Sequence, residues 1–209
     1  MNKSLIIFDM DGTLIDSSRA IANAINYVRD KLYLPPMPSA EIVEKINDQS
    51  LNPAKFFYKS DRFERDHERW FSEYYSRHHQ RELQLYDGIP ELLQTLSARG
   101  TRLAVATNAY RLSTIESLKH LDIYGYFDAV ASFDDVERGK PYPDMLEKIL
   151  EAVDAERSEA LFIGDGSRDE MAAKNAGIDY LMVNWGFSEH KEAIRSVASL
   201  RERIVPTAG

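Results

Sequence analysis

Short apolar runs alternate with amphipathic segments along most of the chain. Five apolar runs predict buried β-strands, at Leu5 to Phe8, Leu103 to Ala106, Ala129 to Phe133, Ala160 to Ile163 and Tyr180 to Val183. Apolar side chains recur at helical spacing in four segments between them, Ile89 to Ala98, Leu112 to Leu121, Asp144 to Val153 and Asp169 to Ala176. This alternation favours a mostly parallel sheet with helices on both faces. The predicted fold class is therefore α/β, with a doubly wound, Rossmann-like core.

Residues 16–86 interrupt the alternation and are predicted to be helical. The first helix of this stretch has one apolar face, made by Ile21, Ile25, Val28 and Leu32. Prolines at positions 35, 36 and 38 end that helix, and a second long helix is expected from about Asp61 to Arg81. The stretch has no glycine and contains 11 acidic and 11 basic residues, so the rest of the chain carries the net charge of -8. We therefore predict a core at 1–15 and 87–209, with a separate helical module inserted at 16–86.

The composition excludes several classes of protein. The chain has no cysteine, which excludes disulfides, thiolate zinc sites and cysteine nucleophiles. Its acidic charge balance argues against a nucleic-acid backbone as a partner. The apolar run before Asp9 is too short for a signal peptide, and no uncharged apolar stretch approaches the roughly 18 residues of a membrane span. We expect a cytoplasmic protein without nucleic-acid or membrane partners, and the oligomeric state stays open.

Two carboxylates directly follow the first predicted strand, in the sequence Asp9-Met10-Asp11-Gly12-Thr13. Ligands bind at the carboxyl ends of strands in open α/β sheets. Two desolvated carboxylates this close repel each other unless a cation or a proton lies between them. The motif therefore indicates a divalent metal site combined with a carboxylate nucleophile. Taken alone, the same residues would equally fit a solvated turn.

Three further polar sites follow predicted strands, at Thr107-Asn108, Lys140-Pro141 and Gly164 to Asp169. Read singly, the first is typical of a helix cap, the second of a surface turn and the third of a loop that caps a helix. Read together at one sheet edge, they suit phosphoryl transfer, which depends on positioning and charge stabilisation. A threonine hydroxyl can donate to a phosphoryl oxygen, a lysine can neutralise charge, and Asp165 offers a hard oxygen ligand for Mg²⁺.

These sites resemble the four motifs of the haloacid dehalogenase-like hydrolase superfamily, as Asp9-Met-Asp11-Gly-Thr13, Thr107-Asn108, Lys140-Pro-Tyr-Pro-Asp144 and Gly164-Asp165-Gly-Ser-Arg-Asp169. Two further segments, Ala172-Ala-Lys-Asn-Ala-Gly177 and Asn184-Trp-Gly186, are similar to the phosphoglycolate phosphatase-like branch. The resemblance covers nearly the whole predicted core. It also implies that the helical insertion is a cap.

The resemblance implies a role for each matched residue. Asp9 would be the nucleophile and Asp11 the general acid and base, a residue that dehalogenase and phosphonate-cleaving members lack. Mg²⁺ would be held by Asp9, the backbone carbonyl of Asp11 and Asp165, with support from Asp169. The substrate phosphate would contact Thr107, Asn108 and Lys140, of which Thr107 and Lys140 also count as catalytic.

The implied function is a magnesium-dependent phosphatase that acts on a small phosphorylated metabolite, such as a phosphoglycolate-like acid or a sugar phosphate, through an aspartyl-phosphate. A phosphomutase would share the same residues. Outside enzymes, a phospho-receiver domain or a catalytically idle scaffold are the alternatives, although the Asp-x-Asp-Gly-Thr spacing and the helical insertion disfavour a receiver. In the cap, the polar turn Asn47 to Ser50 is the candidate to face the substrate, with a plain connecting loop equally possible. His67 and His78 are typical of helix-surface or packing residues, and neither is assigned a role.

Overall fold

The computed structural model describes residues 3–46, 48, 50–185 and 193–205 of the 209-residue chain. The chain divides into two compact units. We call the first, which comprises residues 1–16 and 85–209, the sheet unit. We call the second, which comprises residues 17–84, the helical unit.

The described residues form seven strands, β1 (Leu5–Phe8), β2 (Ile15–Asp16), β3 (Gln84–Leu85), β4 (Arg102–Ala106), β5 (Ala129–Ala131), β6 (Ala160–Gly164) and β7 (Asp179–Met182). Five of them form one parallel sheet in the order β5-β4-β1-β6-β7, and β2 pairs with β3. The longer helices are α1 (Ser18–Lys31), α2 (Ser39–Lys45), α3 (Pro53–Tyr58), α4 (Arg65–Glu82), α5 (Ile89–Ala98), α6 (Arg111–His120), α7 (Asp144–Ala152), α8 (Ser167–Ala176) and α9 (Val197–Ile204). The predicted α/β fold class is confirmed.

Strand β1 is the central strand of the sheet and the element that carries the first motif. Strands β4 and β6 flank it on either side, and its four apolar residues are all buried. Helices α7 and α8 pack beside the sheet and cover it with apolar side chains, including Met145, Leu146, Ala172 and Ala173. The strand therefore ends within a buried apolar layer, and the next residue is Asp9.

The structure corrects two predicted boundaries and adds one helix outside the predicted segments. Strand β5 ends at Ala131 instead of Phe133, because the Ser132 N–H donates to the Asp135 carboxylate and a short 3₁₀ turn follows. Helix α4 begins at Arg65, later than the predicted start at about Asp61. Helix α9 lies in a segment for which no helix was predicted, and α3 is a short helix within the stretch 16–86 that was predicted to be helical as a whole.

The helical unit has its own small core. Helix α1 packs against α4, and its apolar face contributes Ala22, Ile25 and Val28. Buried Arg29 on the same helix donates through Nε and Nη2 to the Pro35 carbonyl, at 2.9 and 2.7 Å, and through Nη1 to the Phe57 carbonyl. The Arg29 guanidinium therefore connects α1 with the loop that follows it and with α3. In the described part of the chain, no helix combines the length and apolarity that crossing a membrane requires.

Candidate active site

The first motif forms a tight turn at the end of β1. The Asp9 N–H donates to the carbonyl of Ile163 on β6 at 2.8 Å. The Met10 carbonyl then accepts the N–H groups of three following residues, Thr13, Leu14 and Ile15. Gly12 has a φ of 83°, a left-handed conformation that glycine adopts at little cost. The turn therefore holds buried Asp9 against the sheet edge, with half-buried Asp11 two residues further on.

Lys140 joins the first and fourth motifs directly. Its buried Nζ lies 2.5 Å from Asp9 Oδ1 and 2.7 Å from Asp169 Oδ1, and it donates to the Ala106 carbonyl at 2.9 Å. Burial by itself would lower the pKa of Lys140, but the carboxylates of Asp169 and Asp9 outweigh that effect and raise the pKa above its ordinary value. The ammonium group therefore stays charged, with three acceptors for its three protons.

Asp9, Asp165 and Asp169 form a buried carboxylate cluster, in which one oxygen from each lies within 4.8 Å of the others. Burial raises the pKa of Asp9 well above its ordinary value, Lys140 opposes this rise, and the charges of Asp169 and Asp165 add to it. The cluster places three carboxylates beside the single ammonium group of Lys140. Negative charge is therefore in excess at a buried site. A divalent cation with oxygen ligands fits this donor set, and Mg²⁺ uses few carboxylates in such sites.

The loop that carries Asp165 is folded back on itself. Asp169 accepts the Gly166 N–H through Oδ2 at 3.1 Å, while its other oxygen contacts Lys140. Gly164 permits this close approach, because a Cβ at that position would lie 2.6 Å from Asp169 Cβ and Oδ2. Asp169 therefore shapes the loop as well as belonging to the carboxylate cluster.

Thr107 and Asn108, predicted as phosphate contacts, have different surroundings. Buried Thr107 accepts the Ala109 N–H on Oγ1 at 3.1 Å, which leaves its hydroxyl proton able to donate to a phosphoryl oxygen. The Asn108 side chain donates to the Lys140 carbonyl at 3.0 Å and accepts the Lys140 N–H at 2.9 Å. Gly139 leaves room for this amide, since a Cβ there would lie 2.7 Å from Asn108 Oδ1. Asn108 thus holds the backbone of Lys140, a role that the sequence did not indicate.

The residues singled out in the predicted cap lie in the helical unit. Asp48 Oδ1 accepts the N–H and the hydroxyl of Ser50 at 3.0 and 2.5 Å, whereas positions 47 and 49 of the predicted turn lie outside the described residues. Buried His67 accepts the Glu64 N–H on Nδ1 at 3.2 Å, and His78 stacks on the ring of Tyr74 with centroids 4.2 Å apart. Both histidines have packing roles in this unit.

The described part of the site includes two aromatic residues that the sequence did not single out as functional. Trp185 donates through Nε1 to the Thr13 carbonyl at 3.0 Å, so it holds the end of the first motif. The Tyr180 hydroxyl lies 2.8 Å from the Gly164 carbonyl oxygen. Both are aromatic residues in or just after an apolar strand, a pattern that by itself indicates only core packing.

Comparison with known proteins assigns the family. A model of haloacid dehalogenase-like hydrolases matches residues 6–183. The chain belongs to this family. The resemblance inferred from the four motifs is therefore confirmed, and the protein is an enzyme of the hydrolase class, as predicted.

Individual relatives agree with this assignment. The chain is 29% identical over 187 residues to pyrophosphatase PpaX from Halalkalibacterium halodurans, which covers 88% of this chain and 85% of the relative. A haloacid dehalogenase-like hydrolase from Streptococcus pneumoniae has a TM-score of 0.77 at 26% identity and covers 95% of this chain and 90% of its own. A structure from Lactobacillus plantarum is named as a candidate phosphoglycolate phosphatase. It has a TM-score of 0.77 at 25% identity and covers 87% of this chain and 86% of its own. Phosphatase chemistry is the activity that these names support.

Proposed function

We propose that this chain is a magnesium-dependent phosphatase that hydrolyses a small phosphorylated metabolite through an aspartyl-phosphate on Asp9. One observation carries the proposal: Lys140 Nζ contacts Asp9 and Asp169 together, within a buried cluster that also includes Asp165. A structural ion pair needs one carboxylate for one ammonium. The surplus carboxylates suit a site that receives a cation and the negative charge of a phosphate.

The first half-reaction transfers the phosphoryl group to the enzyme. A carboxylate oxygen of Asp9 attacks phosphorus, and the bond between phosphorus and the ester oxygen breaks. Asp11 donates a proton to the departing oxygen, which leaves as an alcohol. Lys140 and the Thr107 hydroxyl stabilise the phosphoryl oxygens during this transfer, while Asn108 keeps the Lys140 backbone in place.

The second half-reaction regenerates the enzyme. Asp11, now a carboxylate, accepts a proton from water as the water oxygen attacks phosphorus. The bond between phosphorus and the Asp9 oxygen breaks, which releases inorganic phosphate and restores the Asp9 carboxylate. The same residue therefore acts as acid in one step and as base in the next.

The carboxylates of Asp9 and Asp165, with the backbone carbonyl of Asp11, would hold Mg²⁺, and Asp169 would support the site. A bound Mg²⁺ would supply positive charge that offsets the repulsion between a phosphate and these carboxylates. The chain's own contribution is to gather the donors at the ends of β1 and β6 and to keep them buried.

Short phosphorylated acids and sugar phosphates are the substrate classes we propose. The helical unit would serve as the cap that limits access to small esters and excludes water. Because a relative is named as a pyrophosphatase, inorganic pyrophosphate also belongs among the candidates. The proposed cap corresponds to residues 16–86 and the proposed core to 1–15 and 87–209.

A phosphate-release screen tests the proposal. Purified protein with Mg²⁺ is assayed against phosphoglycolate, several sugar phosphates and inorganic pyrophosphate, with Asp9→Asn as the matched inactive variant. We expect release from at least one of these substrates with the parent and none above background with the variant. Isomerised product in place of free phosphate would identify a phosphomutase, and activity that survives in Asp9→Asn would remove Asp9 as the nucleophile.

A further inference from the structure

Tyr180 on β7 reaches across to the loop that carries Asp165. Its hydroxyl lies 2.8 Å from the Gly164 carbonyl oxygen and 3.3 Å from the Gly166 carbonyl oxygen. These carbonyls belong to the residues immediately before and after Asp165. The shorter contact is the main hydrogen bond, because a phenol has a single proton to donate.

The backbone around Asp165 also takes part in main-chain hydrogen bonds, and the Gly166 carbonyl accepts the N–H groups of Asp169 and Glu170 at 3.1 and 3.2 Å. The Gly164 carbonyl also accepts the Val183 N–H at 3.0 Å, which is the last regular contact of β6 with the β7 side. Gly164 and Gly166 have no side chains to anchor the loop, and Gly164 must remain glycine because Asp169 packs on it. The side chains of Tyr180 and Asp169 contact this backbone from two directions, at the Gly164 carbonyl and at the Gly166 N–H.

The Tyr180 side chain is suited to act as a permanent donor. Burial raises the pKa of its phenol, and the negative charges of Asp169 and Asp165 raise it further, so the hydroxyl stays protonated. Its ring packs against Phe162, with centroids 6.0 Å apart, and belongs to the apolar layer beside the sheet. The ring serves the fold, and the hydroxyl is the part that reaches the loop.

We propose that Tyr180 is a positioning residue for the metal site, because its hydroxyl donates to the carbonyl of Gly164, the residue immediately before Asp165. The inference rests on the Mg²⁺ site of the proposed function, although it concerns binding of the ion and not turnover. Groups that orient a metal ligand in this way typically contribute a factor of about 10 to 100 in metal affinity.

Removal of the hydroxyl alone tests the proposal. Tyr180→Phe keeps the ring, so the melting temperature in EDTA should stay close to that of the parent. Mg²⁺ binding is measured by calorimetry without substrate, where we expect an affinity about 10- to 100-fold weaker than in the parent. Tyr124→Phe is the matched control, because it removes the hydroxyl of a partly exposed tyrosine beside Lys119 and should leave Mg²⁺ affinity unchanged.

The outcomes separate this inference from the proposed function. Equal Mg²⁺ affinity in the parent and in Tyr180→Phe would overturn the role of Tyr180 alone. A variant that fails to fold would also overturn it, since the hydroxyl would then serve the fold as a whole. A parent protein that does not bind Mg²⁺ would contradict the metal site itself. Absence of phosphate release, with Mg²⁺ affinity reduced in the variant, would contradict only the proposed reaction.

Discussion

Lys140 lies between Asp9 and Asp169, at 2.5 and 2.7 Å, and this shared ion pair sets the chemistry of the site at the scale of single residues. Any phosphate that approaches Asp9 must approach the same ammonium. The lysine thereby offsets negative charge in the buried site, where an uncompensated carboxylate would otherwise favour its protonated form. Asp9 can act as a nucleophile only while it remains ionised.

Asp9→Asn should reduce turnover by about a thousandfold or more, because an amide neither attacks phosphorus nor binds Mg²⁺ well. The fold should survive, since asparagine has nearly the same shape. Phosphate release from an aryl phosphate measures the activity, and circular dichroism checks the fold. Rapid quenching should trap a covalent phosphoenzyme in the parent and none in Asp9→Asn. That result would identify Asp9 as the nucleophile. Comparable rates in the two proteins would contradict it.

Asp11→Asn should have an effect that depends on the leaving group. An alkyl phosphate releases a strongly basic oxygen, so the loss of the general acid should slow its hydrolysis by about 10²–10⁴-fold. An aryl phosphate or pyrophosphate releases a weakly basic group, which needs less protonation, so the first step should slow less. Phosphoenzyme should then accumulate, because the second step still needs a base. Pre-steady-state bursts of the leaving group measure how much phosphoenzyme accumulates. An equal loss of rate with all substrates would show that Asp11 does not transfer protons.

Among the elements, the ends of β1 and β6 and the start of α8 supply the three clustered carboxylates. Because these acids come from separate elements, a cation that joins them should stabilise the folded sheet unit. Mg²⁺ at a hundred times its dissociation constant should add about 2.7 kcal/mol to the free energy of unfolding. The rise in melting temperature measures this effect, and Asp165→Asn should lose most of it.

The same cluster should distinguish Mg²⁺ from Ca²⁺. EDTA should remove activity and Mg²⁺ should restore it. Ca²⁺ takes more ligands and readily binds both oxygens of one carboxylate, so it should occupy the oxygen with which Asp9 attacks and inhibit turnover. Steady-state assays with each ion, at matched ionic strength, measure the difference. Full activity with Ca²⁺ as the only divalent ion would contradict this site.

In the helical unit, the guanidinium of Arg29 connects α1, the loop after it and α3. Arg29→Met keeps the aliphatic length but leaves two carbonyls without their donors. The free energy of unfolding of this unit should fall by about 2–4 kcal/mol. Hydrogen exchange within residues 17–84 measures the change, and Arg29→Lys, which can still reach one carbonyl, should lose less. Unchanged exchange in both variants would show that these bonds contribute little.

Sequence patterns predict elements better than they predict contacts. The apolar runs located all five strands of the main sheet, because strands of a parallel sheet covered on both faces are apolar along most of their length. The end of β5 differs from the prediction, since it depends on a hydrogen bond that the Ser132 N–H donates to the Asp135 carboxylate. Motif order placed Lys140 and Asp9 at one sheet edge, but the contact of Lys140 with Asp169 as well as with Asp9 required the structure. The hydrogen bonds between the Asn108 side chain and the Lys140 backbone could not be predicted from the sequence either, because an amide can bond to many groups.

For the whole molecule, charge is distributed unevenly along the chain. Residues 16–86 are electrically neutral, with 11 acidic and 11 basic side chains, and the remainder carries the net charge of -8. An acidic surface repels an anionic ester at long range, whereas a neutral surface with many arginines does not. If the helical unit selects substrates, its polar turns should therefore influence which small ester is preferred, more than they influence the transfer of phosphate itself.

Asp48→Asn tests this selection, because Asp48 organises the turn by accepting two bonds from Ser50. The ratio of kcat/KM between phosphoglycolate and a sugar phosphate should change several-fold, while hydrolysis of an aryl phosphate, which depends mainly on Asp9 and Lys140, should change less. Asp61→Asn is the matched control, since this acid is exposed in the same unit and only loosely paired with Lys55. Efficient dephosphorylation of a folded phosphoprotein, without preference among small esters, would contradict a selective cap, because such a substrate could not fit beneath a closed lid.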